Sequence, residues 1–174
     1  MHPFNPNRRR FHFALGALAM AQLSGCGFQL RQARAFSFNT VQITGLSEHT
    51  PLFVLLKRQI QANGSTRVVS SAQEAEVQLK FLGDERKKDI LSLTGAGKVR
   101  EYQLLQTLSM TLTDNATGKE LLAPVQISAS RDMTYNDNQV LAKEQEETVL
   151  YKDMQTDLVQ QIIRRLSAVQ RTPN

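Results

Sequence analysis

Residues 101–113 read EYQLLQTLSMTLT, and they decide the fold because apolar and polar residues alternate along them. A period of two places successive side chains on opposite faces of a β-strand. Gln106 is the only polar break in the apolar face, and Leu105 is the only apolar break in the polar face. The stretch therefore predicts a long strand with one buried face, which consists of Tyr102, Leu104, Leu108, Met110 and Leu112.

Further strands are predicted on both sides of this stretch. Residues 77–81 alternate in the same way, Gly83 suggests a bulge, and a polar run at 84–89 leads to apolar residues at 90–93. The sequence Gly-Ala-Gly at 95–97 predicts a turn, and Asp-Asn-Ala-Thr-Gly at 114–118 predicts a second one. Alternation resumes at 125–135, so three consecutive strands are expected to pair antiparallel.

Two segments show the spacing of amphipathic helices. Thr50 and Pro51 are typical of a helix start, and Leu52, Leu55, Leu56 and Ile60 follow at helical spacing up to the stop signal Asn63-Gly64. Residues 136–138, Asn-Asp-Asn, are expected to open a second, longer helix. Residues 171–174 read as a frayed end. The apolar face of the longer helix is predicted to contain Leu150, Tyr151, Met154, Leu158, Val159, Ile162, Ile163 and Leu166.

The order of these elements predicts an α/β (α+β) fold. A strand at 39–44 precedes the first helix, and Val68-Val69 is suited to a short edge strand. Amphipathic helices and a half-polar sheet can cover each other's apolar faces. We therefore predict a two-layer sandwich with two helices on one face of a mostly antiparallel four-stranded sheet, in a single domain at 39–170.

The N-terminus has the pattern of an export signal. Three arginines at 8–10 precede an apolar run at 11–23, and the sequence then reads Leu-Ser-Gly-Cys at 23–26. This pattern resembles the lipobox of bacterial lipoproteins, which implies removal of residues 1–25 and lipidation of Cys26. The alternative is an ordinary signal peptide or a membrane-spanning helix with an incidental cysteine, but the run is shorter than the ~20 residues of a span. Residues 26–38 are then a lipidated tether.

Composition argues against several classes of function. Residues 1–25 contain three arginines and no acid, so the formal net charge of +5 falls to +2 without them, which is low for a nucleic-acid partner. After residue 25 the sequence has one histidine, His49, and no cysteine except Cys26, so no zinc site, cofactor or catalytic triad is expected. Carboxylate pairs at 84–85 and 146–147 lie in polar runs and read as solvated surface. The protein is not predicted to be an enzyme.

Six basic residues are candidates for binding an anionic group. Arg86, Lys87 and Lys88 lie on one arm of the hairpin closed by residues 95–97, Lys98 and Arg100 lie on the other arm, and Lys143 lies near the start of the last helix. Antiparallel pairing could bring the two arms together. The alternatives are ordinary surface charge or a site for an anionic lipid head group.

Three segments in order resemble one protein family. CGFQLR at 26–31, EYQL at 101–104 and LAKEQEE at 141–147 are similar to the start, central strand and last-helix entrance of the lipopolysaccharide-assembly lipoprotein LptE family. The resemblance implies an outer-membrane lipoprotein that plugs the β-barrel LptD from the periplasmic side, assists its assembly and binds lipopolysaccharide. By the bacterial sorting rule, the absence of aspartate after Cys26 also favours the outer membrane.

The resemblance also ranks the candidate site residues. Lys143 matches the family's lysine before the last helix, whereas the family's basic residue near the hairpin tip falls at Thr94-Gly95, which is uncharged here. Lys98 or Arg100 could substitute. We rank Lys98 first, because the alternation puts Arg100 in phase with Tyr102, where it would be partly covered, and we expect residues 86–88 to reinforce the site. Two alternative functions remain, a free periplasmic lipid-binding carrier or scaffold and a hydrolase built around His49.

Overall fold

The computed structural model describes residues 35–64 and 66–171. The predicted signal peptide, Cys26 and most of the predicted tether lie outside these residues. The described strands are β1 (Thr40–Thr44), β2 (Arg67–Val69), β3 (Val77–Leu93), β4 (Val99–Asp114) and β5 (Glu120–Thr134), and the helices are α1 (Pro51–Ala62) and α2 (Val140–Ala168).

The strands form one mixed sheet of five strands, in the order β2-β1-β3-β4-β5. Strands β3, β4 and β5 pair antiparallel as predicted, but β1 pairs parallel with both β2 and β3. The predicted four-stranded, mostly antiparallel sheet was therefore wrong in strand number, and the sheet is more mixed than predicted because both pairings of β1 are parallel. Strand β2 has only three residues, and its parallel pairing depends on the crossover through α1, so local periodicity does not reveal it.

Strand β3 runs without interruption through the polar segment at 84–89. The expected bulge is present, because the register with β4 shifts between Phe81 and Gly83. Among the described strands, β1 pairs only with residues 77–80 of β3, so the rest of β3 is an edge of the described sheet. The charged run at 84–89 lies on this edge, where charged side chains oppose pairing with another chain.

Both helices begin at the predicted signals. The Thr50 hydroxyl accepts a hydrogen bond from the Phe53 N–H at 3.3 Å, and Pro51 is the first residue of α1. Asn136 accepts one from the Asn138 N–H at 3.0 Å and caps a short 3-10 turn, so the α-helical part begins only at Val140. No helix within the described ranges is long and apolar enough to cross a membrane.

The main core lies between the helices and one face of the sheet. It contains Leu52, Leu56 and Ile60 of α1, and Leu158, Ile162 and Leu166 of α2, packed against Val41, Val77, Leu79, Leu108, Met110 and Leu112. Phe38, at the end of the predicted tether, is also buried there, and its ring stacks on Phe36 at 5.3 Å. The predicted apolar face of residues 101–113 is confirmed, because burial on one side follows its alternation.

Gln106 is the polar residue within this buried face. Its Nε2 donates to Asp84 Oδ1 at 2.8 Å, while its buried Oε1 has no hydrogen-bond partner in the described part of the chain. We expect Gln106→Leu to raise the free energy of unfolding by about 1–2 kcal/mol, because an unsatisfied buried acceptor is removed and the exposed Asp84 can be hydrated. Urea unfolding measures this, with Gln103→Leu on the open face as the control. A loss of stability would contradict the prediction.

The C-terminal segment is held against the sheet. Arg171 Nε donates to Asp114 Oδ2 at 2.5 Å, and Arg171 Nη1 donates to Glu76 Oε2 at 2.8 Å. The Arg171 N–H also donates to Ser37 Oγ at 3.1 Å, and Ser37 Oγ donates to the Val169 carbonyl at 3.0 Å. The interpretation of residue 171 as frayed was therefore wrong. Its partners Asp114 and Glu76 lie 57 and 95 positions earlier in the sequence, so no local pattern indicates these ion pairs.

The ion pair between Arg171 and Asp114 predicts that the free energy of unfolding depends on pH. Hydrogen bonds from Arg171 and from the Thr117 backbone lower the pKa of Asp114 from 3.8 to about 2. A carboxyl group whose pKa is lower in the folded state than in the unfolded state stabilises the fold at pH values above its unfolded pKa. This stabilisation is lost as the pH falls through its folded pKa. The stability advantage of the parent over Asp114→Asn should be constant above about pH 5 and shrink towards pH 2. Urea unfolding across this range tests it, and Arg171→Ala should weaken the same dependence.

Candidate functional site

One end of the molecule gathers the hairpin turn, the end of β5 and the start of α2. The turn between β3 and β4 is closed by hydrogen bonds from Thr94 N–H to the Lys98 carbonyl at 2.7 Å and from Gly97 N–H to the Thr94 carbonyl at 2.9 Å. The Tyr135 N–H donates to the Arg100 carbonyl at 2.8 Å, which joins β4 to the segment that leads into α2. We call this end of the molecule the tip.

Lys98 and Lys143 both form ion pairs at the tip. Lys98 Nζ lies 3.2 Å from Asp137 Oδ2, and its side chain is 71% exposed, so solvent screens this pair. Lys143 Nζ lies 2.7 Å from Glu146 Oε2 and donates to Thr134 Oγ1 at 3.0 Å, and its side chain is only 14% exposed. Lys143 therefore binds the start of α2 to the end of β5, and its charge is already partly balanced.

Arg86 and Lys88 lie on the helix face of β3 beside tyrosines. The Arg86 guanidinium lies 4.8 Å from the centre of the Tyr151 ring, and Lys88 Nζ lies 4.5 Å from the centre of the Tyr102 ring. Lys88 Nζ also bonds Glu147 Oε2 at 2.6 Å. Burial lowers the pKa of Lys88, but the hydrogen bond and charge of Glu147 outweigh burial, so the net pKa is raised. Both cations thus pack the hairpin against α2.

Lys87 is separated from these two cations by the alternation of the strand. Its Nζ lies 3.8 Å from Glu85 Oε2, and both side chains are well exposed. Lys87 and Glu85 occupy the face of β3 opposite to Arg86 and Lys88. The expected reinforcement by residues 86–88 is therefore divided between two faces of the sheet.

Arg100 is exposed, and its guanidinium makes no hydrogen bond or ion pair within residues 35–64 and 66–171. Ser92 pairs with Glu101 and Leu93 pairs with Val99, so Arg100 is the extra residue of a β-bulge. The prediction that Arg100 is partly covered was wrong, because the bulge interrupts the alternation on which it rested. Arg100 replaces Lys98 as the strongest candidate at the tip.

Three acidic partners at the tip were not among the predicted site residues. Asp137 pairs with Lys98, Glu146 with Lys143, and Glu147 with Lys88. The spacing of three residues between Lys143 and Glu146 on one helix was a usable signal for one of these pairs. The other two pairs join segments distant in sequence, so no local pattern indicates them.

The face of the sheet opposite the helices is polar, and it is mostly uncharged on β4 and β5, whereas on β3 it carries Glu85, Lys87 and Asp89. Its central residues on β4 and β5 carry hydroxyl or amide groups and are half-buried or exposed, except for the buried Thr111, with Leu105 as the apolar exception. These polar residues are Gln103, Thr107, Ser109, Thr111, Thr113, Gln126, Ser128 and Ser130. His49 is exposed in the turn before α1, and no cluster of potential metal ligands occurs in the described part of the chain.

Comparisons with known proteins agree with this architecture. The chain matches the LptE family, described as lipopolysaccharide-assembly, over residues 38–166. It is similar to the LPS-assembly lipoprotein LptE of Pectobacterium atrosepticum, with 26% identity over 164 residues that cover 92% of this chain and 86% of the relative. The LPS-assembly lipoprotein LptE of Photorhabdus laumondii is 25% identical over 166 residues, which cover 93% of this chain and 88% of the relative.

A solved structure has a similar fold. The solution NMR structure of an uncharacterized lipoprotein B from Nitrosomonas europaea aligns with a TM-score of 0.69 and 37% identity, covering 82% of this chain and 91% of that chain. The family match extends from Phe38 in the core to Leu166 near the end of α2, and thus spans nearly every described element. The chain therefore belongs to the LptE family of lipopolysaccharide-assembly lipoproteins.

Proposed function

We propose that this chain is an outer-membrane lipoprotein that plugs the lipopolysaccharide-transport barrel LptD, assists the assembly of that barrel, and binds lipopolysaccharide at the tip. Its membership of the LptE family carries the general role in lipopolysaccharide assembly. That role is not enzymatic, which confirms the prediction that the protein is not an enzyme.

The polar sheet face supports the plug. Barrel lumens are polar and hydrated, so a plug needs a surface that exchanges hydrogen bonds without exposing large apolar areas. Hydroxyl and amide groups meet this need at a smaller desolvation cost than charges. Strands β4 and β5 present such groups over most of their length, on the face that α1 and α2 leave open.

The packing of the core argues against the alternative of a lipid carrier. A carrier would enclose acyl chains in a continuous apolar pocket between sheet and helices. That layer is instead filled by side chains such as Leu56, Leu108 and Leu158, which are fully buried. An open cavity of about 330 Å³ lies at the surface beside Arg171, and another of about 220 Å³ lies beside Arg164.

The cations at the tip carry the proposal of lipopolysaccharide binding. Arg100, Lys98 and Lys143 lie on three segments that hydrogen bonds and ion pairs join together. Guanidinium and ammonium groups are the usual partners of phosphate oxygens, and an arginine can bind them with two parallel hydrogen bonds. Arg100 can do so without giving up a partner from the described part of the chain, whereas Lys98 and Lys143 would have to share theirs.

We therefore expect Arg100→Glu to weaken lipopolysaccharide binding by roughly tenfold or more, because one charge-assisted contact contributes about 1.5–3 kcal/mol. Titration of the purified protein with lipopolysaccharide at two salt concentrations measures the loss. Lys57→Glu, which reverses an exposed charge on α1, is the matched control and should bind like the parent. Unchanged binding by Arg100→Glu would remove Arg100 from the site.

Lys143→Gln tests the residue that matches the family motif. Glutamine keeps hydrogen-bonding capacity towards Thr134 but removes the charge, so affinity should fall while the thermal unfolding midpoint changes little. Barrel association should persist. If the affinity of Lys143→Gln equals that of the parent, Lys143 acts only as the bond between α2 and β5.

Co-purification tests the barrel partner directly. When the lipidated chain is produced together with LptD and extracted in mild detergent, we expect a stable complex that contains an intact barrel. A chain that elutes alone under these conditions, while LptD folds normally, would favour the free carrier or scaffold. Protection of the β4–β5 face from modification in the complex would identify that face as the contact with the barrel wall.

A further inference from the structure

Exposed aliphatic side chains accompany the cations at the tip. Ile90, Leu91 and Leu93 near the end of β3 are 58%, 48% and 54% exposed. In the described structure the end of β3, residues 90–93, is exposed except for the half-buried Ser92, so these side chains lie outside the core. Isolated aliphatic side chains on a surface are ordinary, but three within four positions form an amphipathic surface when they lie next to an arginine that has no side-chain partner among the described residues.

Two consecutive β-bulges create this juxtaposition. The register passes from Ile90–Tyr102 to Ser92–Glu101, which makes Leu91 an extra residue on β3. It then passes to Leu93–Val99, which makes Arg100 an extra residue on β4. Leu91 on β3 and Arg100 on β4 are thus both unpaired in the sheet, and only the pair Ser92–Glu101 separates them. Bulges redirect side chains and occur preferentially beside functional sites.

We propose that Leu91 and Leu93, together with Ile90, form an acyl-chain contact subsite beside the phosphate contact of Arg100. This inference rests on the proposed function, and it names the part of the ligand that the aliphatic residues recognise. An anionic amphiphile carries phosphate groups next to acyl chains. The two bulges likewise place the cation of Arg100 next to the aliphatic side chains of Leu91 and Leu93. The polar wall of a barrel lumen offers no apolar surface to match these residues.

The experiment compares two ligands that differ only in their acyl chains. The first is lipid A, a phosphorylated and acylated glucosamine disaccharide, and the second is the same saccharide after removal of all acyl chains. Both are titrated into the full mature chain in one buffer with one detergent. The test variant is Leu91→Ser with Leu93→Ser, the control is Val54→Ser at an equally exposed position on α1, and circular dichroism confirms folding.

The parent should bind the acylated ligand roughly tenfold or more tightly than the deacylated one, because partial burial of two leucines is enough for that factor. The double variant should lose this preference and keep the parent's affinity for the deacylated ligand. Arg100→Glu, in contrast, should lower the affinity for both ligands by a similar factor. Val54→Ser should behave like the parent.

Two outcomes would overturn the inference and leave the proposed function standing. One is a parent that binds both ligands equally, and the other is a double variant that keeps the full preference for acyl chains. A parent that binds neither ligand would overturn lipopolysaccharide binding itself, and the acyl subsite with it.

Discussion

Replacement of Gly45 by alanine is expected to lower the free energy of unfolding by about 2–5 kcal/mol. Gly45 follows β1 and has φ +81°, a left-handed conformation that costs a residue with a Cβ about 1–2 kcal/mol. A Cβ at this position would also lie 2.1 Å from the backbone carbonyl oxygen of Phe81. Relief of this clash requires movement of β3 beside the core. We expect this movement to cost about as much as overpacking of a core, which is about 1–3 kcal/mol.

Gly118→Ala is the matched control for the clash. Gly118 has φ +67° in the turn between β4 and β5, and a Cβ there would have no heavy atom within 4 Å. This variant should lose only the conformational contribution of about 1–2 kcal/mol. Urea unfolding of both variants separates the two contributions. If Gly45→Ala and Gly118→Ala lose the same stability, the close approach to Phe81 has no energetic consequence.

Loss of Cys26 is expected to have the largest effect on location. When residues 1–25 are exchanged for an ordinary cleavable secretory signal and Cys26 is replaced by alanine, the mature chain should appear in the soluble periplasmic fraction. Each buried methylene of an acyl chain contributes about 0.8 kcal/mol, and one chain alone gives only reversible binding. Without the several chains of a lipoprotein, release should be nearly complete, and the domain should keep its circular dichroism spectrum.

Gly27→Asp with the native signal is the informative control for this experiment. This variant keeps Cys26, the proposed lipidation site, so it should stay with the membranes, but the sorting rule implies a shift from the outer to the inner membrane. Fractionation on a density gradient distinguishes the two membranes. Retention of the Cys26→Ala chain in the membrane fraction, in the absence of LptD, would contradict the lipid anchor.

Much of the fold was predictable, because the deciding signals are local. The period of two at 101–113 corresponds to β4 and its buried face, and the hydroxyl cap of Thr50 with Pro51 marks the start of α1. Apolar residues at four-residue spacing correspond to the buried side of α2, including Met154, Leu158 and Ile162. Each of these patterns depends on residues within a turn or two of one another, and burial of one face is enough to select them.

The candidate site was predictable only as a set of cations. The sequence contains Arg100, Lys98 and Lys143, and the hairpin signals bring the first two to one turn. Whether each charge is free depends on partners from other segments, such as Asp137 for Lys98. The pairing register also decides which side chains leave the ladder, and two bulges of one residue each reversed the ranking of Arg100 and Lys98.

The sequence alone therefore determined the elements with clear periodicity, their caps and turns, the two-layer arrangement of helices on a half-polar sheet, and the resemblance to the LptE family. The tertiary structure alone decided the five-stranded mixed sheet, the ion pairs of Arg171 with Asp114 and Glu76, and the exposed position of Arg100 at a β-bulge. The physical reason is distance along the chain. Parallel pairing, partly buried ion pairs and bulge register arise between residues that are far apart in sequence, and their energies appear only when the folded backbone brings those residues together.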